Sequence, residues 1–311
     1  MKTRSMEQIQ NMKKQTFGVE IEMYDITKDK AVEVIAKHYG TEQTCSISGN
    51  GWICKDAKGR TWKATRDGSI SAPATHQTEL ETPVLTYDDL EDFQQIIRDL
   101  RAAGAKSDPA HTCGVHIHIG LDGHDAKSLR NLANLMSAHE RLLIDALQLS
   151  RNRIGQYCMI TDPRFLQELN DKKPKTMKEL GDIWYNTQDR NWTSSHYNSS
   201  RYHMLNYHGA FEDAYYNGTI EFRLFQFDNP GRTYKGGLHA GKMKAYIQLC
   251  LALSQQAKDL KTASPKQPQR ENDKYAMRTW LLRLGMIGEE FSTARMVLTK
   301  KLNGNSAWRA A

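Results

Sequence analysis

The sequence predicts an α+β fold in which helices cover one face of an antiparallel-rich sheet, and three observations carry that prediction. Short runs with period-two alternation, at 17–24, 78–85, 113–119 and 219–227, read as strands. Long runs with apolar residues at the 3.6 period, at 88–103, 125–150 and 234–256, separate them as helices. At least two strand pairs are joined by hairpin turn signals, Asp56–Gly59 and Asn217-Gly218, which excludes a purely parallel sheet. The concave sheet face opposite the helices is then open for chemistry.

Each element has its own reason. FGVEIEMY (17–24) is rich in β-branched and aromatic residues, with both glutamates on one face. A helix over 30–39 follows, closed by Gly40 as a C-cap. Residues 52–54 and 60–65 form a hairpin and lead into the turn Arg66-Asp67-Gly68-Ser69. Thr78–Leu85 is a strand that Pro83 confines to an end or an edge. Leu90, Phe93, Ile96, Ile97 and Leu100 line one face of the next helix, which Gly104 closes. His139 lies on the apolar side of the 125–150 helix and reads as a satisfied core histidine. Residues 151–200 are polar and weakly periodic, a partly helical insertion or lid. Asn217-Gly218 predicts a type I′ turn between strands 201–216 and 219–227. A linker at 262–270 precedes two short C-terminal helices, so the expected organisation is a catalytic domain over 1–260 with 261–311 packed on it.

Composition narrows the class. The 311 residues suffice for a well-buried core, and the net charge of +7 permits an anionic substrate such as a nucleotide. The basic residues are spread along the chain, which makes nucleic acid an unlikely partner. Five scattered cysteines without a CxxC pair argue against disulfides and structural zinc, and Cys113 reads as a small buried thiol. No apolar run is long enough to span a bilayer, and MKTRSMEQIQNMKKQ is no secretory signal, so the expected location is cytoplasmic.

The candidate site lies in four pairs spaced two apart: Glu20/Glu22, Glu79/Glu81, His116/His118 and Glu221/Arg223. Residues i and i+2 of a strand share a face, ~6.5–7 Å apart. If the four runs join one sheet, they gather carboxylates, imidazoles and a guanidinium on one surface. Glu20, Glu22 and Glu79 are hard ligands suited to Mg²⁺ or Mn²⁺, enough for two ions ~3.5–4 Å apart. Magnesium commonly completes its shell with substrate phosphate, and Arg223 is the fork that phosphate needs. His116 and His118 could ligate metal or, protonated, donate to phosphate. Taken singly, an ExE strand is more often solvated, the histidine pair fits a polar face equally well, and Glu221/Arg223 fits a surface ion-pair ladder. Their joint appearance inside otherwise apolar strands favours an active site. Asp67-Gly68-Ser69 reads equally as a plain turn, and Arg201 and Asn206 as pairing residues of a hairpin. GxxxxGK[ST], GxGxxG and GxSxG are all absent, so any nucleotide is held through metals and arginine, and covalent catalysis is unsupported.

In order, FGVEIE, DGS, ELETP, CGVHIHIG, RYxxLN and TIEFRLF resemble the signature of the amidoligase family, carboxylate–amine ligases related to glutamine synthetase and glutamate–cysteine ligase. The resemblance covers about 17–260. It implies a glutamine-synthetase-like sheet curved into a half-barrel, with helices on its convex side. It implies ATP- and Mg²⁺-dependent amide formation through an acyl phosphate. By similarity Glu20, Glu22, Glu79 and Glu221 bind the ions, and His116 and His118 contact metal or γ-phosphate. Arg223 neutralises the transferring phosphoryl group, Arg201 and Asn206 orient a carboxylate or phosphate, and Asp67 holds or deprotonates the amine. Glu81 departs from the family pattern and reads as the bystander. The partners implied are small-molecule or peptide carboxylates and amines, and relatives of this fold often form homo-oligomers. A metal-dependent hydrolase or phosphodiesterase and a non-catalytic nucleotide- or metal-binding module are the alternatives.

Overall fold

Period-two sequence becomes strand and 3.6-period sequence becomes helix over most of the chain. The computed structural model describes residues 2–45, 51–188, 198–211, 217–229, 237–268 and 271–307. In chain order they form α1 (Lys2–Lys13), β1 (Phe17–Met23), α2 (Lys28–Tyr39), β2 (Gln43–Cys45), β3 (Gly51–Lys55), β4 (Thr61–Thr65) and β5 (Thr78–Glu81). Next come α3 (Leu90–Ala102), β6 (Val115–Gly120), α4 (Ala126–Leu147), α5 (Arg151–Gln156), α6 (Pro163–Lys172) and α7 (Met177–Gln188). Then follow β7 (Leu205–Asn206), β8 (Thr219–Phe225), α8 (Ala240–Asp259), α9 (Asp273–Arg283) and α10 (Ser292–Thr299). The class is α+β with an antiparallel, open sheet, as the sequence predicts.

The chain forms two units. The first, Thr16–Ile117 with Leu224–Lys244, holds strands in the order β2-β3-β4-β5-β1, followed by the first half of β6. The neighbours from β2 to β1 are all antiparallel. Ile21, Leu80 and Ala64 lie opposite one another in register and are fully buried. Helix α2 packs on β3, β4 and β5 through a face that includes Ala31, Val32, Ile35 and Ala36, and α3 packs on α2. Gly40 ends α2 at φ 67°, a left-handed cap that a glycine adopts without strain.

The second unit, Met1–Gln15, His118–Arg223 and Ala245–Ala311, holds the rest of β6, then β8 and β7. Its core is built from α4 and α8, both rich in fully buried leucines. Of the expected insertion, 189–197 lie outside the described residues; the part at 151–188 is mostly helical, and α6 and α7 bury Phe165, Leu169, Leu180 and Trp184 in this unit's own core. His139 Nδ1 donates to the Leu135 carbonyl at 2.9 Å, and the ring stacks on Trp280 with centroids 4.0 Å apart. Cys113 is fully buried, and the cysteines are free thiols. No described helix is long and apolar enough to cross a membrane.

Three expectations are corrected. Helix α1 was not expected, because its sequence presents almost no apolar stripe; Met12 is its one fully buried described side chain. Strand β2 is a three-residue edge, too short for a periodic signal. The two-residue hairpin at Asn217-Gly218 is not formed. Asn206 pairs with Glu221, twelve residues, 207–218, lie between β7 and β8, and the N–H groups of Asn217 and Gly218 both donate to the Gly209 carbonyl. Part of the predicted strand 201–216, at 212–216, and of the predicted helix start, at 234–236, falls outside the described residues.

Candidate active site

Strand register decides which acids meet. Pairing of β1 with β5 sets Glu22 opposite Glu79 and Glu20 opposite Glu81, two like-charged pairs directly across the ladder. Such pairs destabilise a sheet. The next strand sets Thr65 opposite Glu79 and Lys63 opposite Glu81. Lys63 donates to both Glu81 oxygens, at 2.9 and 3.1 Å, and the Thr65 hydroxyl adds a third contact at 3.1 Å. Glu81 is thereby compensated from within the sheet.

Glu20, Glu22 and Glu79 are compensated differently. The His116 ring places Nδ1 3.0 Å from Glu20 and Nε2 3.7 Å from Glu22. Glu22 also accepts the backbone N–H of Gly114 at 2.5 Å. Burial, then the negative charges of Glu20, Glu22, Asp67 and Glu81, push the Glu79 carboxyl up to about 9. Two overlapping donor sets result, Glu20–Glu79–His116 and Glu22–Asp67–Glu79, each with its ligand atoms within 4.8 Å of one another. Glu79 belongs to both. Carboxylate oxygens with one imidazole are the hard, mixed donor set that suits Mg²⁺ or Mn²⁺, and the surplus negative charge around Glu79 is what a cation would neutralise. The donors present fit the ions that the sequence predicts.

Asp67 stands on a turn rather than a strand. Its Oδ1 accepts the Ser69 N–H at 2.7 Å, and a carboxylate oxygen of Asp67 completes the set with Glu22 and Glu79. The structure therefore groups Asp67 with those two carboxylates, whereas the resemblance assigned it to the amine.

The remaining predicted residues belong to the second unit. Glu221 on β8 accepts the Asn206 amide at 2.7 Å and pairs with Arg223 on the same strand. Asn206 in turn accepts the His208 N–H at 3.0 Å, so its side chain is an orienting group for Glu221. The Arg201 and Arg223 guanidinium carbons lie 4.7 and 5.7 Å from the centroid of the Tyr202 ring. Arg153, buried, donates to the Arg223 carbonyl at 3.1 Å. His118 Nδ1 meets the Thr219 hydroxyl at 3.1 Å. The predicted residues thus fall into two groups, five in the first unit and five in the second.

Residues 13–254 match the family model described as "Putative amidoligase enzyme", which spans most of the sequence. The chain belongs to the amidoligase family. Among solved structures, a bifunctional glutathione synthetase from Pasteurella multocida is similar at TM-score 0.49 and 14% identity. That likeness covers 96% of this amidoligase and 49% of the synthetase, so the chain spans about half that protein's length. A comparison with curated protein sequences finds no match.

Four residues of this amidoligase act beside the predicted ones without a signal of their own in the sequence. Gly114 fixes Glu22 through its backbone, and Lys63 with Thr65 absorbs Glu81. Tyr202 carries two guanidiniums against one ring; only its place in the RYxxLN motif, beside Arg201, hinted at it.

Proposed function

We infer that this amidoligase is an ATP- and Mg²⁺-dependent carboxylate–amine ligase acting through an acyl phosphate. The observation that carries the reading is the like-charged cross-strand pair Glu22–Glu79, part of two donor sets that share Glu79. In the cation-free protein a proton on Glu79 relieves that pair, and a divalent cation would take the proton's place.

Glu20, Glu79 and His116 would hold one Mg²⁺, and Glu22, Asp67 and Glu79 a second. When bound, such ions neutralise and orient the phosphates of ATP. Glu221 is assigned to metal by family resemblance, and Asn206 orients it. Arg223, with Arg201 and Tyr202, is assigned to the phosphoryl group in transfer, because a guanidinium fork matches phosphate oxygens. His118 is assigned to the γ-phosphate. An oxygen of the substrate carboxylate bonds to the γ-phosphorus as the bond to ADP breaks. The amine nitrogen then bonds to the acyl carbon, inorganic phosphate leaves, and the nitrogen passes a proton to a neighbouring carboxylate. The same reading includes the glutamine-synthetase-like curvature of the sheet, a catalytic region over 1–260, small-molecule or peptide substrates, and a cytoplasmic location.

The test is incubation with ATP, Mg²⁺ and pools of carboxylates and amines. ADP release that requires both pools supports the ligase. Phosphate release from a simple ester without ATP would support a metal-dependent hydrolase instead.

A further inference from the structure

We propose that Thr112 is a positioning residue, a latch that holds the Asp67 turn in place beside Glu22 and Glu79. The inference rests on the reading of those three carboxylates as cation ligands. Asp67 has no ladder to fix it, because β4 ends at Thr65 and β5 begins at Thr78. Locally, Gln77 accepts from Arg66 at 2.7 Å and donates to the Ile70 carbonyl at 2.8 Å, and further contacts reach the turn from more than forty residues downstream. Thr112 Oγ1 lies 2.5 Å from both the Ser69 and the His111 carbonyl oxygens, which share its one proton, and it accepts the Ser71 N–H at 3.2 Å. The Ser71 N–H also reaches the His111 carbonyl at 3.0 Å. Between these contacts Ile70 is buried against Tyr24 and Cys113.

Thr112 makes those contacts from a backbone conformation that disfavours it. Its φ is 62° and its ψ 6°, the left-handed region, where a β-branched residue is strained. Glycine or asparagine suits such a cap better. What threonine adds is the hydroxyl. The turn that forces this conformation is itself anchored by Asp108, a fully buried carboxylate. Asp108 accepts the Tyr24 hydroxyl at 2.6 Å, the N–H groups of Ala110 and His111 at 3.0 and 3.2 Å, and lies 3.0 Å from His111 Nδ1. Its carbonyl accepts the Cys113 N–H at 3.1 Å, and the next residue, Gly114, donates to Glu22. One turn, anchored on the buried Asp108, therefore sets two ligands, Glu22 through Gly114 and Asp67 through Thr112.

The experiment is Mn²⁺ titration of the full chain, read by electron paramagnetic resonance, with urea unfolding of each variant alongside. Thr112→Ser keeps the hydroxyl and is expected to bind as wild type. Thr112→Gly relieves the backbone strain, so its unfolding midpoint should be at or above the wild-type value, yet its Mn²⁺ affinity should fall roughly tenfold or more, as outer-shell losses do. Asp67→Asn should fall comparably, and Asp67→Asn combined with Thr112→Val should bind no more weakly than Asp67→Asn alone. Wild-type affinity in Thr112→Gly, with Asp67→Asn weakened, would overturn the latch alone. Wild-type affinity in Asp67→Asn would overturn the ligand reading and the latch with it.

Discussion

Glu22 and Gly114 hold each other reciprocally: the Gly114 N–H donates to the Glu22 carboxylate at 2.5 Å, and the Glu22 N–H donates to the Gly114 carbonyl at 3.1 Å. One carboxylate oxygen is thereby spent on the backbone, and the other is turned toward His116. A strand that buries a glutamate in this way has fixed its rotamer before any cation arrives, which is what preorganised ligation requires.

Glu22→Gln retains an oxygen for the Gly114 N–H, so it should keep its stability and lose cation affinity. Glu22→Ala leaves that buried N–H unpaired and should cost about 1–3 kcal/mol in addition. Chemical unfolding separates the two variants, and Mn²⁺ titration shows their common defect. Equal stability of the two would remove the structural half of this account.

Glu79 makes the cation-free protein sensitive to pH. Its folded carboxyl is raised to about 9 from an ordinary value of 4.5, chiefly by burial. Between those values the folded state binds a proton that the unfolded state has released, so stability falls as pH rises through that window. Glu79→Gln should flatten the fall and be more stable than wild type at pH 8 without divalent cations. Cation binding must expel the same proton, so wild-type affinity should climb with pH, at most about tenfold per pH unit. Urea unfolding and Mn²⁺ titration across pH 6–9 check both signs.

Arg223 and Glu221 are both nearly buried, with side-chain exposures of 14% and 10%. Arg223→Ala alone removes the charged partner of a buried carboxylate, which keeps the Asn206 amide, and should cost about 3–5 kcal/mol. Adding Glu221→Gln should recover most of that stability without recovering turnover. Stability measured beside ADP release distinguishes loss of the fold from loss of the guanidinium proposed to meet the phosphoryl group. Wild-type turnover in either variant would take Arg223 out of the reaction.

His124 bridges the Ser128 and Ser254 hydroxyls at 3.0 and 2.8 Å. Burial, assisted by Lys258, holds its imidazole down to about 3, below its ordinary 6.5. The unfolded state then binds the extra proton, so this stability is present above pH 6.5 and is lost as pH falls toward 3. His124→Gln should reduce the slope of stability against pH between 4 and 6.5, and an unchanged slope would assign acid sensitivity elsewhere.

Much of the architecture was legible because the informative residues are local. Alternation wrote β1 and β6, the apolar stripe wrote α3 and α4, and Gly40 marked the end of α2. The register that puts Glu22 opposite Glu79 was not legible, since pairing β1 with β5 closes a loop of more than fifty residues whose partners no local pattern names. Asn217-Gly218 misled for a related reason. The dipeptide suits a tight turn, but Asn206 pairs with Glu221 and twelve positions, 207–218, lie between the strands. Thr112 was invisible because its importance lies in a φ value and a distant carbonyl. The candidate acids themselves were readable as types, while their grouping around Glu79 needed the sheet.

Oxygen transfer tests the central claim most directly. A carboxylate substrate labelled with ¹⁸O is turned over with ATP, Mg²⁺ and amine, and the inorganic phosphate is analysed by mass spectrometry. An acyl phosphate requires one labelled oxygen to appear in the phosphate for each amide formed. Unlabelled phosphate accompanying amide formation would contradict the account.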